Sequence, residues 1–473
     1  MKSMKNLLFY VLTIGGLSAV VFAIISYGQV LEKGKVNKLV THDTAASTWQ
    51  QFQETFHNNL HHPLAILLIQ IITIIVVARI FGFFCKKIGQ PSVIGEIIAG
   101  IFLGPSILGN PFFESLHFNE FSTFLFPKES LGNLQFLSQI GLILFMFVVG
   151  MELDLKTLKS KANDAVVISH ASIIFPFALG VGLAFFVYQS FAPADINFLS
   201  FALFMGIAMS ITAFPVLARI VQERGLTKTK LGAIVITCAA ADDITAWCIL
   251  AAVIAIVKAG SVLSAFYIIA IAIVYVFFML KIVAPFLKRL GDKYSNKESL
   301  SKPVVAIFFI TLLLSAYATE VIGIHALFGA FMAGVIMPTN MSFRNIFIEK
   351  LEDVALVLLL PLFFVFTGLR TKIGLLDEWY LWGVTAVIIA VAVFGKFVGS
   401  ALAAKFVGQN WRDSLIIGAL MNTRGLMELI VLNIGFELGV LSEEIFAMLV
   451  LMALITTFMT GPLLDLINWL MPE

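Results

Sequence analysis

The sequence predicts an all-α, polytopic membrane protein, and three observations carry that expectation. Apolar runs of spanning length follow one another along most of the chain, lysines and arginines concentrate in alternate breaks between them, and charged residues make up only 13% of the 473 positions. A soluble domain carries about 25% charged residues, whereas 60% of this chain is hydrophobic and its mean hydropathy is +0.98. A net charge of +2 gives no electrostatic footprint for a nucleic-acid partner. Cys85, Cys238 and Cys248 lie in or beside apolar runs; their odd number and spacing suit small packing residues, not a disulfide framework or a metal site.

Each expected helix rests on a run of about 20 apolar residues, the length that crosses a hydrocarbon core. The first, near 7–27, follows two lysines and lacks an obvious small-x-small cleavage site, so it is expected to be retained. Residues 28–60 are polar, with Lys33, Lys35, Lys38, Trp49 and several histidines, and are expected to form an amphipathic or flexible external lobe. This sets an N-terminal segment, 1–60, apart from a transmembrane domain, 61–473. Within that domain helices are expected near 63–85, 93–110, 134–151, 163–188, 198–221, 230–256, 264–287, 303–319, 323–340, 352–370, 380–402, 412–436 and 444–468.

Charge placement tests the assignment. With the amino terminus inside, the cytoplasmic breaks hold Lys86 and Lys87, Lys156 to Lys161, Arg224 to Lys230, Lys288 to Lys302, Arg344 and Lys350, and Lys405 and Arg412. The opposite breaks hold few basic residues, among them Lys128, Lys258, Arg370 and Lys372. This bias predicts a cytoplasmic carboxyl terminus. After the first helix come six spans, one linking span at 264–287, and six more, so the second set enters from the opposite side. That count permits an inverted repeat.

Polar residues at membrane depth mark the candidate site. Asp242 and Asp243 stand side by side in TCAAADDITAW, inside a run that is otherwise apolar from Leu231 to Val257. Intramembrane carboxylates are costly and need a function or a partner. Lys396, in AVAVFGKFVGSALAA, is too deep for easy snorkelling and also needs a partner, for which Asp242 is the best candidate. Two readings stand: a structural bridge, or one that opens as an ion or proton exchanges. Neighbours on a helix point about 100° apart, so one aspartate can pair with Lys396 while the other faces water. A carboxylate can hold a proton or a hard cation but not easily both, which is the minimum chemistry of exchange.

Two spans carry helix-breaking signals. In MGIAMSITAFPVLARI, Pro215 predicts a break near Thr212 to Phe214, read either as an ion-facing unwound stretch or as a satisfied kink. In ALMNTRGLMELIVLNIG, Asn422, Thr423 and Gly425 can interrupt the helix, and Arg424 and Glu428 can pair four residues apart. That pair is read as structural before ionic chemistry. His325 reads as a packing residue, Glu96 and Glu320 as pathway or helix-end residues, and Gly104 to Ser106 as a helix terminus, since no phosphate loop is present. Glu152 and Asp154 fall at the cytoplasmic rim. No constellation suits an enzyme, and no cofactor is expected.

The stretches VIGEIIAGIFLGPSILG, FVVGMELD, SITAFPVLARI, TCAAADDITAW, HALFGAFMAGVIMP, PLFFVFTGLRT and NTRGLMELIVLNIG together resemble the monovalent cation:proton antiporter-2 family, over roughly residues 60 to 470. Bacterial sodium/proton antiporters and plant cation/proton exchangers are in the same superfamily. The resemblance implies an inverted-repeat sodium/proton antiporter fold with two crossed discontinuous helices, thirteen family helices and, here, an extra N-terminal one. It implies core helices at about 163–256 and 380–468, dimerisation or scaffold helices at about 63–151 and 303–370, and a linker helix at about 264–287. It further implies a homodimer in lipid of a bacterial inner membrane and elevator-type exchange of a monovalent cation for protons.

By position, Asp243 resembles the family's ion-binding aspartate, Asp242 the second acid of electrogenic members, and Lys396 the lysine that pairs with it. Thr212 resembles a further cation ligand, and Arg424 and Glu428 resemble core-stabilising residues. Asp242 with Lys396 points to electrogenic exchange of Na+ or Li+. A K+/H+ antiporter is the nearest alternative, and an uncoupled channel or a non-transporting membrane sensor are remoter ones. No nucleotide-binding domain follows in the sequence, so the cytosolic gating module of potassium efflux relatives is not expected.

Overall fold

The computed structural model describes residues 2–28, 31, 47–108, 118–152, 162–226, 229–259, 262–294, 302–338, 348–349, 351 and 353–471. The basic segments 153–161, 295–301 and 339–347, with Asp154, lie outside the described residues. The chain divides into two compact units, Met1–Ala65 and Ile66–Glu473. The first holds α1 (Lys2–Gly28), apolar on all sides, and α2 (Thr48–Leu60), and ends in the first turn of α3 (Pro63–Lys87).

The second unit continues α3 and adds α4 (Ser92–Leu103), α5 (Phe118–Leu125), α6 (Lys128–Glu152), α7 (Ala162–Phe191), α8 (Phe198–Ser210), α9 (Phe214–Glu223) and α10 (Lys230–Ala259). A long rod follows, α11 (Val262–Phe278) running through a π-turn into α12 (Ala284–Tyr294). Then come α13 (Lys302–Ile322), α14 (Ala326–Val335), α15 (Leu360–Arg370) after a π-turn at Val354–Leu359, and α16 (Trp379–Val393). A third π-turn, Phe394–Val398, joins α16 to α17 (Gly399–Phe406), and α18 (Trp411–Met421), α19 (Leu426–Glu437) and α20 (Glu443–Leu470) complete the chain.

Ten helices among the described residues are long and apolar enough to cross a membrane, or eleven if α18 and α19, bent by 42°, count as one span. Three expected spans are shorter than their apolar runs. The run at 93–110 stops at Leu103 because Gly104 and Pro105 follow. The run at 323–340 begins only at Ala326, after Gly323 and His325, which both adopt positive φ (+99° and +80°). The run at 198–221 is broken. Apolarity alone overstates length, since backbone buried among other helices can leave the helix without meeting lipid.

Two helix contacts expose the repeat. α4 packs on α15 and α6 packs on α14. These are the second and third helices of one half against the third and second of the other, as an inverted repeat requires. Both contacts are glycine to glycine: a Cβ on Gly100 would lie 2.3 Å from the Val365 carbonyl oxygen, and one on Gly150 would lie 2.2 Å from that of Phe331. Such close backbone approach is available only to small residues.

Candidate functional site

α8 ends at Ser210 and the chain runs extended through Ile211 and Ala213 before α9 begins at Phe214. Pro215 sits in the first turn of α9, where a missing N–H costs nothing. α18 ends at Met421, and α19 restarts at Leu426. The two breaks cross and bond to one another: the Ala213 amide donates to the Thr423 carbonyl at 3.1 Å, and the Thr212 hydroxyl lies 3.3 Å from the Met421 carbonyl. Both breaks therefore fall where the polar residues predict them, and they meet.

A broken helix leaves its last carbonyls unpaired, with the negative end of the helix dipole pointing into the gap. Two buried cations cover that end of α8. Arg424 donates to the carbonyls of Ala208 at 2.8 Å and Met209 at 2.5 Å, and the Lys396 ammonium donates to that of Ser210 at 2.5 Å. Arg424 also lies 3.3 Å from Glu428, one helical turn on, with both side chains fully buried.

Lys396 lies in the π-turn between α16 and α17. Gly395 and Gly399 flank it, and ideal Cβ atoms there would stand 3.0 Å from Pro176 and 3.1 Å from Phe175 on α7. That approach brings the ammonium to the Ser172 carbonyl at 2.9 Å and to Asp242 at 3.1 Å.

The adjacent aspartates have opposite surroundings. Asp242 accepts from Lys396, from the hydroxyls of Ser169 at 2.6 Å and Ser172 at 2.9 Å, and from Thr212 at 2.7 Å. Asp243 is equally buried, yet neither of its carboxylate oxygens has a close hydrogen-bond partner among the described residues; the backbone amide of Phe214, at the first break, is the donor that acts on it. The Thr212 hydroxyl carries one proton, and its shorter contact is with the Asp242 carboxylate, so it faces Asp242 and not Asp243.

Sequence reasoning missed two parts of this site and read a third, Asn422, only as a helix breaker. Ser169 and Ser172 are three apart on one face of α7, a spacing that was available as a signal. The π-turn at Lys396 had only its flanking glycines to announce it. Asn422, whose amide oxygen and nitrogen are buried without partners, had none beyond its place in the break.

The other polar candidates sit apart from the pair. Glu320 accepts from the Ala326 amide at 2.8 Å and lies 3.9 Å from Lys258. The Leu327 amide donates to His325 Nδ1 at 3.4 Å. Burial lowers the His325 pKa, Glu320 and then Glu437 pull it back up, and Lys258 lowers it further. Together with Gln139, Asn433 and Glu437, Glu320 and His325 line a cavity of about 320 Å³. Arg370 bridges Asn433 at 3.3 Å and Glu437 at 3.1 Å at this end of the unit.

A second cavity, of about 260 Å³, is lined by Arg79, Lys86, Glu96, Val216 and Leu426 among others. Consecutive residues of α15 face the two: Phe363 lines the first cavity and Phe364 the second. Neither is lined by Asp242 or Asp243. Among the described residues no group of three or more His, Cys, Asp or Glu side chains could hold a resident metal ion.

Residues 72–467 match the family described as sodium/hydrogen exchanger, transmembrane. The chain is 45% identical over 405 residues to the Na+/H+ antiporter NhaS4 of Synechocystis sp., spanning 85% of this chain and 97% of that one. It is 41% identical over 407 residues to cation/H+ antiporter 17 of Arabidopsis thaliana, and 34% identical over 421 residues to K+/H+ antiporter 1 of Saccharomyces cerevisiae. Those matches cover 86% and 87% of this chain but only 49% and 47% of the relatives, so it spans about half of their length. The fold is similar to that of the sodium proton antiporter MjNhaP1 from Methanocaldococcus jannaschii, with a TM-score of 0.59 at 13% identity over 86% of this chain and 97% of the other.

Proposed function

This chain belongs to the sodium/hydrogen exchanger family, within it to the monovalent cation:proton antiporter-2 group, and from that premise we propose that Asp243 is the group on which Na+ or Li+ and a proton compete. The protein is a secondary active cation/proton antiporter and not an enzyme. The observation that carries the assignment to Asp243 is its carboxylate, buried beside the first helix break and met by no side-chain donor, with only the Phe214 backbone amide acting on it. A bare carboxylate in such a place is costly. It is stable when a proton neutralises it or when a hard cation sits on it with oxygen ligands. One carboxylate cannot serve both, so each cargo expels the other.

Asp242 does different work. Three hydroxyls and the Lys396 ammonium meet it. When the cation binds, Asp242 turns toward it, Thr212 follows with its oxygen, and Lys396 keeps the carbonyls of Ser172 and Ser210. When the cation leaves, the bridge re-forms. Competition on Asp243 alone exchanges one proton for one cation; the transport is electrogenic because Lys396 gives up a second proton when the cation draws Asp242 away and regains one when the bridge re-forms, so two protons cross against one cation.

The path follows from the two cavities on either flank of α15. They lie between the helices that carry the breaks and the glycine-locked helices α4, α6, α14 and α15. We assign the former (about 163–256 and 380–468) to a mobile core and the latter (about 63–151 and 303–370) to a static scaffold. The core carries the aspartates from one cavity to the other as an elevator. Thirteen family helices, a homodimer, a bacterial inner membrane and a cytoplasmic carboxyl terminus complete this reading.

The test is exchange by the full chain in proteoliposomes with an imposed pH gradient. Na+, Li+ and K+ are added in turn, with and without a membrane potential, and Asp243→Asn serves as control. Dissipation by Na+ or Li+ that responds to potential and disappears in the variant is expected. Undiminished exchange in Asp243→Asn overturns the assignment, and a response to K+ alone replaces Na+ by K+ as the cargo.

A further inference from the structure

The antiport chemistry leaves α2 without a role. Thr48–Leu60 opens with a capping box in which Ser47 and Gln50 satisfy each other's amides. Its N-terminal end is therefore stabilised locally and needs no tertiary contact. None of its residues is buried. At about 100° per residue, Trp49, Phe52, Phe56 and Leu60 fall within an arc of about 80°. The three rings stack along it, with centroids 5.5 Å apart for Trp49 and Phe52 and 6.0 Å for Phe52 and Phe56. Glu54 and Asn58 occupy the opposite face, and Glu54 is the helix's one carboxylate.

We propose that α2 is an interfacial helix, lying in the plane of the bilayer surface with its aromatic stripe seated at the headgroup and acyl-chain boundary.

Covalent continuity argues for that occupant. Only His61 and His62 separate the end of α2 from Pro63, the first residue of a 25-residue apolar span. At about 1.5 Å per residue that span exceeds the hydrocarbon thickness of about 30 Å, so its first residue stands at the membrane surface. The three Cα–Cα steps from Leu60 to Pro63 reach at most about 11 Å, which holds Leu60 close to the same surface. On the other side, α1 is itself a candidate span. Rings of this kind, with an apolar body, concentrate at the interface, and a helix with one apolar stripe and otherwise polar faces lies flat there.

A second protein copy fits less well. Trp49, Phe52 and Phe56 are 64%, 56% and 55% exposed. At about 150–250 Å² per aromatic side chain, the three offer roughly 300–400 Å², well under the ~800 Å² per partner of a stable interface. With one carboxylate and no lysine or arginine, α2 has no electrostatic hold on acidic lipid, so its seating depends on the rings and not on lipid charge. The consequence for the fold is a fixed height for Pro63, where α3 begins.

The test uses the full chain in vesicles, with Cys85, Cys238 and Cys248 replaced by Ala or Ser and exchange retained. Spin labels are placed singly at Phe52→Cys, Phe56→Cys, Glu54→Cys and Asn58→Cys, and collision rates with oxygen and with a water-soluble nickel chelate are compared. The expected result is a several-fold oxygen preference at 52 and 56 and a nickel preference at 54 and 58. It should be the same in phosphatidylcholine alone and with phosphatidylglycerol added. Nickel access on both faces alike overturns the proposal, as does shielding of 52 and 56 from both reagents, the signature of a protein contact. A label at Leu60→Cys should shift toward nickel when Trp49, Phe52 and Phe56 are together changed to Ser, with exchange intact; no shift also overturns it.

Discussion

Removing the Lys396 ammonium separates the two aspartates most directly. In Lys396→Met, Asp242 loses its counter-ion at 3.1 Å, and the carbonyls of Ser172 and Ser210 lose their donor. Breaking a buried ion pair at one partner costs about 3–5 kcal/mol, because a charge stays behind. Three hydroxyls still donate to Asp242, which places the ionic part near the lower end. The two carbonyls add about 0.5–1.5 kcal/mol each, for a total of about 4–6 kcal/mol. Asp242→Asn alone leaves the ammonium buried with only carbonyls for company and costs about 3 kcal/mol.

The double variant leaves no uncompensated charge. Its cost reduces to the lost donors, about 1–3 kcal/mol. The coupling between the two positions is therefore at least about 2 kcal/mol. The assay is unfolding in mixed micelles, followed by tryptophan fluorescence across a detergent titration, for the parent, both single variants and the double variant. Single costs that sum to the double within about 0.5 kcal/mol would mean the pair is not coupled, and the account of Asp242 as the charge partner of Lys396 fails with it. In proteoliposomes Lys396→Met retains Asp243 and so retains cation-driven proton movement, with an altered response to membrane potential.

Other changes give different signatures. Asp243→Asn removes no side-chain hydrogen bond and keeps an amide oxygen toward the Phe214 backbone amide, so its unfolding free energy should stay within about 1 kcal/mol of the parent or rise, since no bare charge remains to be buried. Gly368→Ala places a Cβ 2.5 Å from the Ile97 carbonyl oxygen and should cost about 1–3 kcal/mol through forced separation of α4 and α15, read as a lower melting temperature in detergent. Arg424→Gln uncovers the carbonyls of Ala208 and Met209 and leaves Glu428 alone; a loss of about 3–5 kcal/mol should be partly reversed by adding Glu428→Gln. Burial holds the His325 pKa down against Glu320 and Glu437, so below its ordinary value of about 6.5 the unfolded chain binds more protons and stability falls as the pH is lowered. His325→Gln should flatten that acid limb in a pH series of melting temperatures.

The features legible in the sequence are those for which a membrane exacts a large penalty. Asp242, Asp243 and Lys396 stand out because charge among apolar residues needs a reason, and Pro215 and the Asn422 to Gly425 stretch stand out because they break backbone bonding where water is absent. Which aspartate takes the lysine was legible only as a choice, since it depends on how α10 is turned against α7. Ser169 and Ser172 decide that, and serines in an apolar helix are ordinary residues until something accepts from them. The length of α4, α8 and α14 was overestimated for a related reason: an apolar run reports burial, whether in lipid or among neighbouring helices. The register of Lys396 was out of reach, because a π-turn depends on the local ladder of hydrogen bonds and not on composition.

The inverted repeat also explains why the chemistry is one-sided. α10 and α20 close the two halves and occupy equivalent places, yet one carries adjacent aspartates and the other carries Thr456, Thr457 and Thr460. On α20 the Thr457 hydroxyl donates to the Arg424 carbonyl at 2.8 Å, and Thr460 lies 3.3 Å from the Thr423 hydroxyl. Threonines there satisfy the backbone of the second break with neutral groups. The break of the first half is held instead by charge, Arg424 and Lys396 both reaching across from the second half. One repeat thus braces the crossing while the other presents the adjacent aspartates. Placing acids on α20 as well would set a second anion beside Arg424, which already has Glu428. The expected outcome for Thr457→Asp is therefore a loss of stability without any gain in exchange, because a carboxylate cannot donate to the Arg424 carbonyl that the Thr457 hydroxyl meets and would set like partial charges against each other there.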